Sequence, residues 1–315
     1  MNFYQEDLRT AYGKALVDLG KERQNVIVLD ADLKTSTMTS LFADAYPKRF
    51  IQCGIAEANM MGIAAGLAHL GYVAFPTTFA AFVIRKALDS FYMHACLHNS
   101  SVKAVGAYSG LTAGECGPSH NECEDIAILR TMPNLKIAVP GDNCELRAVM
   151  KKMAAEPGPA YLRLAKANMP VLFDSTYQFE WGKGDLLREG SDITLVSTGM
   201  MTGIALKAAE LLSTDGYSAQ VVHMASVHPL DEELLLKCAR RTGCLLTIEN
   251  AKISGGFGSA IQELMCREYP VRVCCIGVRD EVVGSDTLSS LLVHQGLTPE
   301  AMYLQAKLLI QKKGD

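Results

Sequence analysis

The chain has 315 residues, 49% of them hydrophobic and 20% charged, with a formal net charge of −4. Two domains with cores of ordinary size fit that length, and a pI of about 6.0 argues against a nucleic-acid-binding protein, which would carry a basic patch or stripe. No apolar run reaches the length of a membrane span, and the opening MNFYQEDLRT has neither the basic nor the apolar region of a signal peptide. A cytoplasmic protein is therefore expected, with its ten cysteines as reduced, buried thiols rather than a disulfide framework.

Short apolar, β-rich runs alternate with longer amphipathic stretches, the pattern of an α/β protein with mostly parallel sheets flanked by helices. Leu8, Ala11, Tyr12, Ala15, Leu16 and Leu19 recur at helical spacing, and Gly20 follows as a stop signal. Residues 25–29 (NVIVL) read as a strand. Residues 56–69 are apolar nearly all round, which predicts a buried helix. A strand at 73–75, a helix over 79–96 and a strand at 102–107 follow. A loop rich in Gly, Ser and Pro occupies 109–120. Beyond it come a helix at 124–130, a strand at 136–139, a helix at 144–154 and a strand at 161–164. Residues 169–190 sustain no period and read as a linker between a first domain, 1–168, and a second, 191–315. The second repeats the α/β pattern, with strands at 193–197, 220–223, 245–248 and 271–276 and helices at 203–212, 231–240 and 257–267.

Four segments carry candidate chemistry. In Gln52-Cys-Gly-Ile-Ala-Glu57 a carboxylate sits in the first turn of the apolar helix, just after a strand. A glutamate there complements the helix dipole by ~0.3–1 kcal/mol. With almost nothing polar after it, Glu57 reads instead as a functional group placed to share a proton with a ligand nitrogen. Phe79 and Phe82, three apart on a helix, fit either a core or a flat apolar pocket for a ring, and the sequence does not choose. Gly114-Glu-Cys116-Gly-Pro-Ser-His120-Asn is a loop after a strand, where open α/β sheets carry their chemistry. His120 there is either a proton handler or a solvated loop histidine. Ser254-Gly-Gly-Phe-Gly-Ser259 opens a helix, but it lacks GxGxxG spacing and reads as a tight turn rather than a phosphate cradle. His94-Ala-Cys96-Leu-His98 does not read as a zinc site, because a spacing of two spreads side chains around a helix.

Together and in this order, these motifs resemble the transketolase family over essentially the whole chain, matching the second half of a full-length member. The resemblance implies a pyrimidine-binding domain, a transketolase C-terminal domain and thiamine diphosphate as cofactor. It places the cofactor-activating glutamate at Glu57, with His120 as the second catalytic group. Phe79 and Phe82 fall where members stack aromatics around the aminopyrimidine, with Arg85 in place of a third aromatic. Asp32-Leu33 resembles the family's DL..S segment, which contacts the cofactor of the neighbouring chain. Arg9 and Ser36 match positions that bind the substrate's terminal phosphate. Tyr108 stands where a histidine is usual, Lys166 replaces an arginine of the anion pocket, and Cys116 replaces an aspartate that reads a donor hydroxyl. Lysine for arginine exchanges a bidentate fork for a point charge. A sulfonate or an unusual sugar phosphate fits these changes as well as a pentose phosphate.

Members bind the diphosphate and Mg2+ through a GDG motif, and no GDG occurs in this chain. The resemblance thus implies a partner, an N-terminal transketolase subunit that brings that half of the site, in an α2β2 heterotetramer acting on small anionic sugars. The expected activity is transfer of a two-carbon ketol unit from an anionic ketose to an aldose. A 2-oxo acid dehydrogenase β-type subunit, a deoxyxylulose phosphate synthase-type subunit and a non-catalytic assembly subunit are the alternatives.

Overall fold

The computed structural model describes residues 3–279 and 281–314. Its strands are β1 (Phe3–Asp7), β2 (Val26–Asp30), β3 (Phe50–Gln52), β4 (Val73–Phe79), β5 (Lys103–Ala107), β6 (Lys136–Ala138), β7 (Ala160–Leu164), β8 (Asn168–Pro170), β9 (Asp185–Arg188), β10 (Ile193–Ser197), β11 (Ala219–His223), β12 (Ser226–His228), β13 (Cys244–Lys252) and β14 (Arg272–Val278). They form two sheets and a ribbon. The first sheet has the order β12-β6-β7-β5-β4-β2-β3 and is parallel except for β12. The second has the order β14-β13-β10-β11-β9 and is parallel except for β9. In the ribbon, β1 pairs antiparallel with β8.

Central parallel strands are covered on both faces, so their sequences are apolar throughout rather than alternating. β2, β4, β5 and β7 are buried at every residue. Alternation still decides which face each side chain serves. In β4, Val73, Phe75 and Phe79 pack with the helix Leu8–Glu22 and the helix Asn143–Ala155. Tyr12 Oη meets Thr77 Oγ1 at 2.7 Å on that same face. Ala74 packs on the other side, with Met60, Met61 and Ala64 of the helix Glu57–His69.

The structure corrects several expectations. The helix expected over 79–96 is broken: β4 runs on to Phe79, and three short turns follow, Ala80–Arg85, Leu88–Phe91 and the π-helical Tyr92–Cys96. The helix Glu57–His69 is not buried all round, since Ala58, Asn59, Gly66 and His69 are exposed. The stretch 169–190 is not linker throughout: β8 enters it, and β9 pairs within it as the antiparallel edge of the second sheet. From the second half, β12 returns to add an edge to the first sheet. Of the ten cysteines, all free, Cys116 and Cys266 are exposed rather than buried.

Candidate active site

The carboxyl ends of the parallel strands of the first sheet converge on one edge, where an open α/β sheet leaves a crevice. Asp32, Leu33 and Ser36 follow β2. Glu57 follows β3. Phe79, Phe82 and Arg85 follow β4; Tyr108, Cys116 and His120 follow β5; Lys166 follows β7. Arg9 reaches the same edge from the first turn of the helix Leu8–Glu22.

Phe79 and Phe82 stack with ring centroids 5.5 Å apart and planes 25° from parallel. The His120 ring stands edge-on to both, at 5.9 Å and 5.3 Å, and its Nδ1 meets Ser119 Oγ at 2.8 Å. Glu57 is only 3% exposed, and its Oε1 accepts a hydrogen bond from Lys86 Nζ at 3.2 Å. The same ammonium lies 4.3 Å from the centre of the Phe82 ring. A carboxylate, two flat rings and an imidazole therefore share one small region. Arg85 turns elsewhere: its Nε donates to Glu122 at 3.1 Å, and a terminal nitrogen reaches Glu124. Burial, with Asp125 nearby, pushes the Glu122 carboxyl up to about 7.

The second cluster is built on Tyr108. Arg9 donates to Tyr108 Oη at 2.6 Å and to the Ser36 carbonyl at 2.9 Å. Its guanidinium carbon lies 4.8 Å from the centre of the Tyr108 ring, and Lys166 Nζ lies 5.0 Å from it. Phe79 packs against the same ring at 4.2 Å, which joins the two clusters. Tyr108 holds this position with φ 58°, a left-handed conformation that is costly for a bulky residue and concentrates at functional sites.

Asp32 also has positive φ, at 64°, and its N–H donates to Gln52 Oε1 at 2.8 Å. Next to it the buried Asp30 carboxylate organises the turn. It accepts from Leu33 N–H at 2.6 Å and from the hydroxyls of Thr37 and Thr39 at 3.0 Å and 2.9 Å, while burial pushes its carboxyl up. The 109–120 loop is tied from both domains: Asn121 Oδ1 accepts from Gly114 N–H, and Ser285 Oγ donates to the Glu115 carbonyl. That leaves Cys116 exposed at the rim. Lys86, Asp7, Asp30 and Gln52 are the site residues that sequence reasoning missed. A strand-terminal aspartate followed by Thr37 and Thr39 was the one available signal for Asp30.

The glycine-rich turn at 254–259 is filled from within. Glu249 accepts the N–H groups of Phe257 and Gly258, both at 2.8 Å, so a buried carboxyl group already occupies that helix N-terminus. A Cβ at Gly256 would sit 2.2 Å from the Lys252 carbonyl oxygen, and one at Gly258 would sit 2.4 Å from Thr247 Oγ1. These glycines serve close packing, as the tight-turn reading expected.

Family models match the chain twice: Transketolase, pyrimidine binding domain over residues 5–171, and Transketolase, C-terminal domain over residues 182–302. The solved structure of a "Split gene transketolase, inactive beta4 tetramer" is 42% identical, with a TM-score of 0.92 over 98% of this chain and 99% of that one. The 6-deoxy-6-sulfo-D-fructose transketolase subunit SqwH of Clostridium sp. MSTE9 is 36% identical, over 97% of this chain and 95% of that protein. An apulose-4-phosphate transketolase subunit of Phocaeicola vulgatus is 31% identical, over 96% of this chain and 97% of that protein. Matched in both domains and nearly end to end, the chain belongs to the transketolase family, as a C-terminal subunit of the split type.

Proposed function

We propose that this chain is the pyrimidine-binding, catalytic half of a two-subunit transketolase, cytoplasmic and dependent on thiamine diphosphate and Mg2+. An N-terminal subunit supplies the diphosphate and metal ligands in an α2β2 assembly. The observation that carries the reading is the join between the clusters. The Phe79–Phe82 wall beside Glu57 and the Arg9–Tyr108–Lys166 pocket share the Phe79–Tyr108 contact, so a ring-binding seat adjoins an anion-binding one.

The residues fit the cofactor's aminopyrimidine: a flat aromatic wall, a carboxylate in reach of a ring nitrogen, and the buried Thr78 Oγ1 one residue before Phe79, which has no partner among the described residues. When bound, thiamine diphosphate supplies the electron sink for cleavage next to a ketose carbonyl. Glu57 would hold a proton against the ring nitrogen, in place of its present contact with Lys86. Phe79 and Phe82 fix the ring and exclude water. His120, on the open side of that wall, hydrogen-bonds substrate hydroxyls and moves a proton at one of them. Arg9, Ser36, Tyr108 and Lys166 hold the anionic tail of the ketose and so set the position of its carbonyl, a contribution of orientation. Cys116, exposed at the rim, would lie beside the donor hydroxyls, and Asp32 and Leu33 would contact the cofactor of the neighbouring site.

Calorimetry tests the composite site. Thiamine diphosphate with Mg2+ is titrated into this chain alone and into its mixture with a GDG-bearing half. Binding is expected only in the mixture, followed by ketose cleavage. Tight binding by this chain alone, or none in the mixture, overturns the reading.

A further inference from the structure

The anion pocket contains a group that works against its charge. Asp7, the last residue of β1, caps the helix Leu8–Glu22 by accepting the Arg9 N–H at 2.9 Å. The same carboxylate grips the Arg9 side chain, Nε to Oδ1 at 2.8 Å and a terminal nitrogen to Oδ2 at 3.3 Å. Asp7 and Arg9 are both largely sheltered, with 24% and 17% of their side chains exposed, so solvent only partly screens the pair.

Two consequences follow for any tail bound there. The first concerns donors. A guanidinium has five N–H groups. Asp7 takes two, and the Ser36 carbonyl and Tyr108 Oη take two more. Arg9 keeps one for a ligand and cannot offer the two-pronged fork that suits a phosphate. The second concerns charge. Arg9 and Lys166 flank the Tyr108 ring, and Asp7 cancels one of them, while Lys166 makes no ion pair among the described residues. The pocket therefore presents one net positive charge, one arginine N–H and the point charge of Lys166. A phosphate monoester carries about two negative charges near neutral pH. A sulfonate carries one.

We infer that Asp7 is a specificity-determining residue that sets this pocket for a singly charged tetrahedral tail, a sulfonate ahead of a phosphate. The inference rests on the transketolase reading above and deepens it. Asp7 acts through Arg9 and the local field and is a positioning residue, outside the bond-breaking steps.

The test uses this chain complexed with its GDG-bearing partner and loaded with thiamine diphosphate and Mg2+. Two ketose donors of one skeleton, fructose 6-phosphate and 6-deoxy-6-sulfofructose, are compared by kcat/KM. The native chain is expected to favour the sulfonate. Asp7→Asn keeps a good helix cap, because asparagine and aspartate cap equally well; it removes the charge and, with the second oxygen replaced by an NH2 group, also frees the Arg9 N–H that Oδ2 held. It is expected to raise kcat/KM for the phosphate donor by about 10-fold or more, the scale of one nearby charge in a partly screened site, with a far smaller change for the sulfonate. Equal melting temperatures for the two proteins show that the cap survives. Preference of the native chain for the phosphate, or a change of the same factor for both donors in Asp7→Asn, overturns the inference. Turnover of neither ketose, with carbon dioxide released from a 2-oxo acid instead, overturns the transketolase reading and this inference with it.

Discussion

Glu57 is buried, yet its ion-pair partner Lys86 is 43% exposed, so the pair adds little to folding. Glu57→Ala is therefore expected to leave the unfolding free energy within about 1 kcal/mol of the native value while cutting ketol transfer by at least about 100-fold, the lower range for loss of a positioned proton-transfer group. Turnover and chemical denaturation measured on the same preparations check both halves, and near-normal turnover would remove Glu57 from the catalytic role. Two other carboxyls act on stability. Burial pushes Glu122 up to about 7 and Glu249 up to about 8, from an ordinary 4.5. In each case the folded chain keeps a proton that the unfolded chain has already released. The stabilisation is complete below about pH 4.5 and is lost as pH rises through the two folded values. Lys103, whose burial pulls it down to about 7, contributes with the opposite sign only above that pH. Between pH 5 and 7 the unfolding free energy is expected to fall by the order of 1 kcal/mol or more per pH unit, and Glu249→Gln is expected to reduce the slope. A free energy that rises over that range would contradict both assignments.

The elements that position the site rest on a few buried polar residues. Asp142 caps the helix Asn143–Ala155 through the Glu145 N–H at 2.8 Å, and its other oxygen accepts from Leu172 and Phe173, also at 2.8 Å. One side chain thus starts a helix of the first domain and pins the chain leaving it. Asp142→Ala is expected to destabilise the protein by about 2–4 kcal/mol, a lost cap plus buried N–H groups left without acceptors, read as a drop in the denaturation midpoint. Elements made by local pattern were legible in sequence: β10, β11 and β14 are mostly apolar runs whose observed ends lie within two residues of the expected ones, whereas β13 continues four residues past its expected end, to Lys252. Elements made by pairing were not. β9 (DLLR) and β12 (SVH) are short and of mixed polarity, and only the sheet edges they complete identify them as strands. The strand expected at 73–75 stops just before Pro76, a residue that cannot donate to a ladder. In the fold β4 continues past it, and Thr77, Thr78 and Phe79 pair with β5 beyond the proline. At the site, residues after strand ends were recognisable by type and order. Lys86 was not, because it adjoins Arg85 in sequence and only tertiary packing decides which of the two cations faces Glu57.

At the scale of the whole molecule, the two family-model regions share structure. β12 lies beyond the second domain's first strands, yet it supplies the outer edge of the first sheet. Arg163 of β7, fully buried, pairs with Asp125 at 2.8 Å and donates to the Asn250 carbonyl of β13 at 2.8 Å; Tyr161 Oη also donates to Asp125. Asn250 Oδ1 in turn accepts the Leu111 N–H at the start of the 110–116 turn, which leads into the His120 loop. Farther along the same boundary, His223 Nε2 of β11 meets Glu145 at 2.7 Å with both side chains out of solvent. Burial alone would pull the imidazole down, but the Glu145 carboxylate beside it pushes it up instead. Removing the second half would take from Glu145 its buried partner His223, a broken pair that costs several kcal/mol, and from the buried Arg163 its hydrogen bond to the Asn250 carbonyl. The halves are therefore expected to unfold together. Scanning calorimetry should show one transition whose calorimetric and van't Hoff enthalpies agree. His223→Ala, a change in the second half alone, should lower that whole transition by the equivalent of about 3–5 kcal/mol rather than detach part of it. Two resolved transitions in the native chain would mean that the boundary contacts do not couple the domains, and that the C-terminal half does not hold the catalytic loop in place through Asn250.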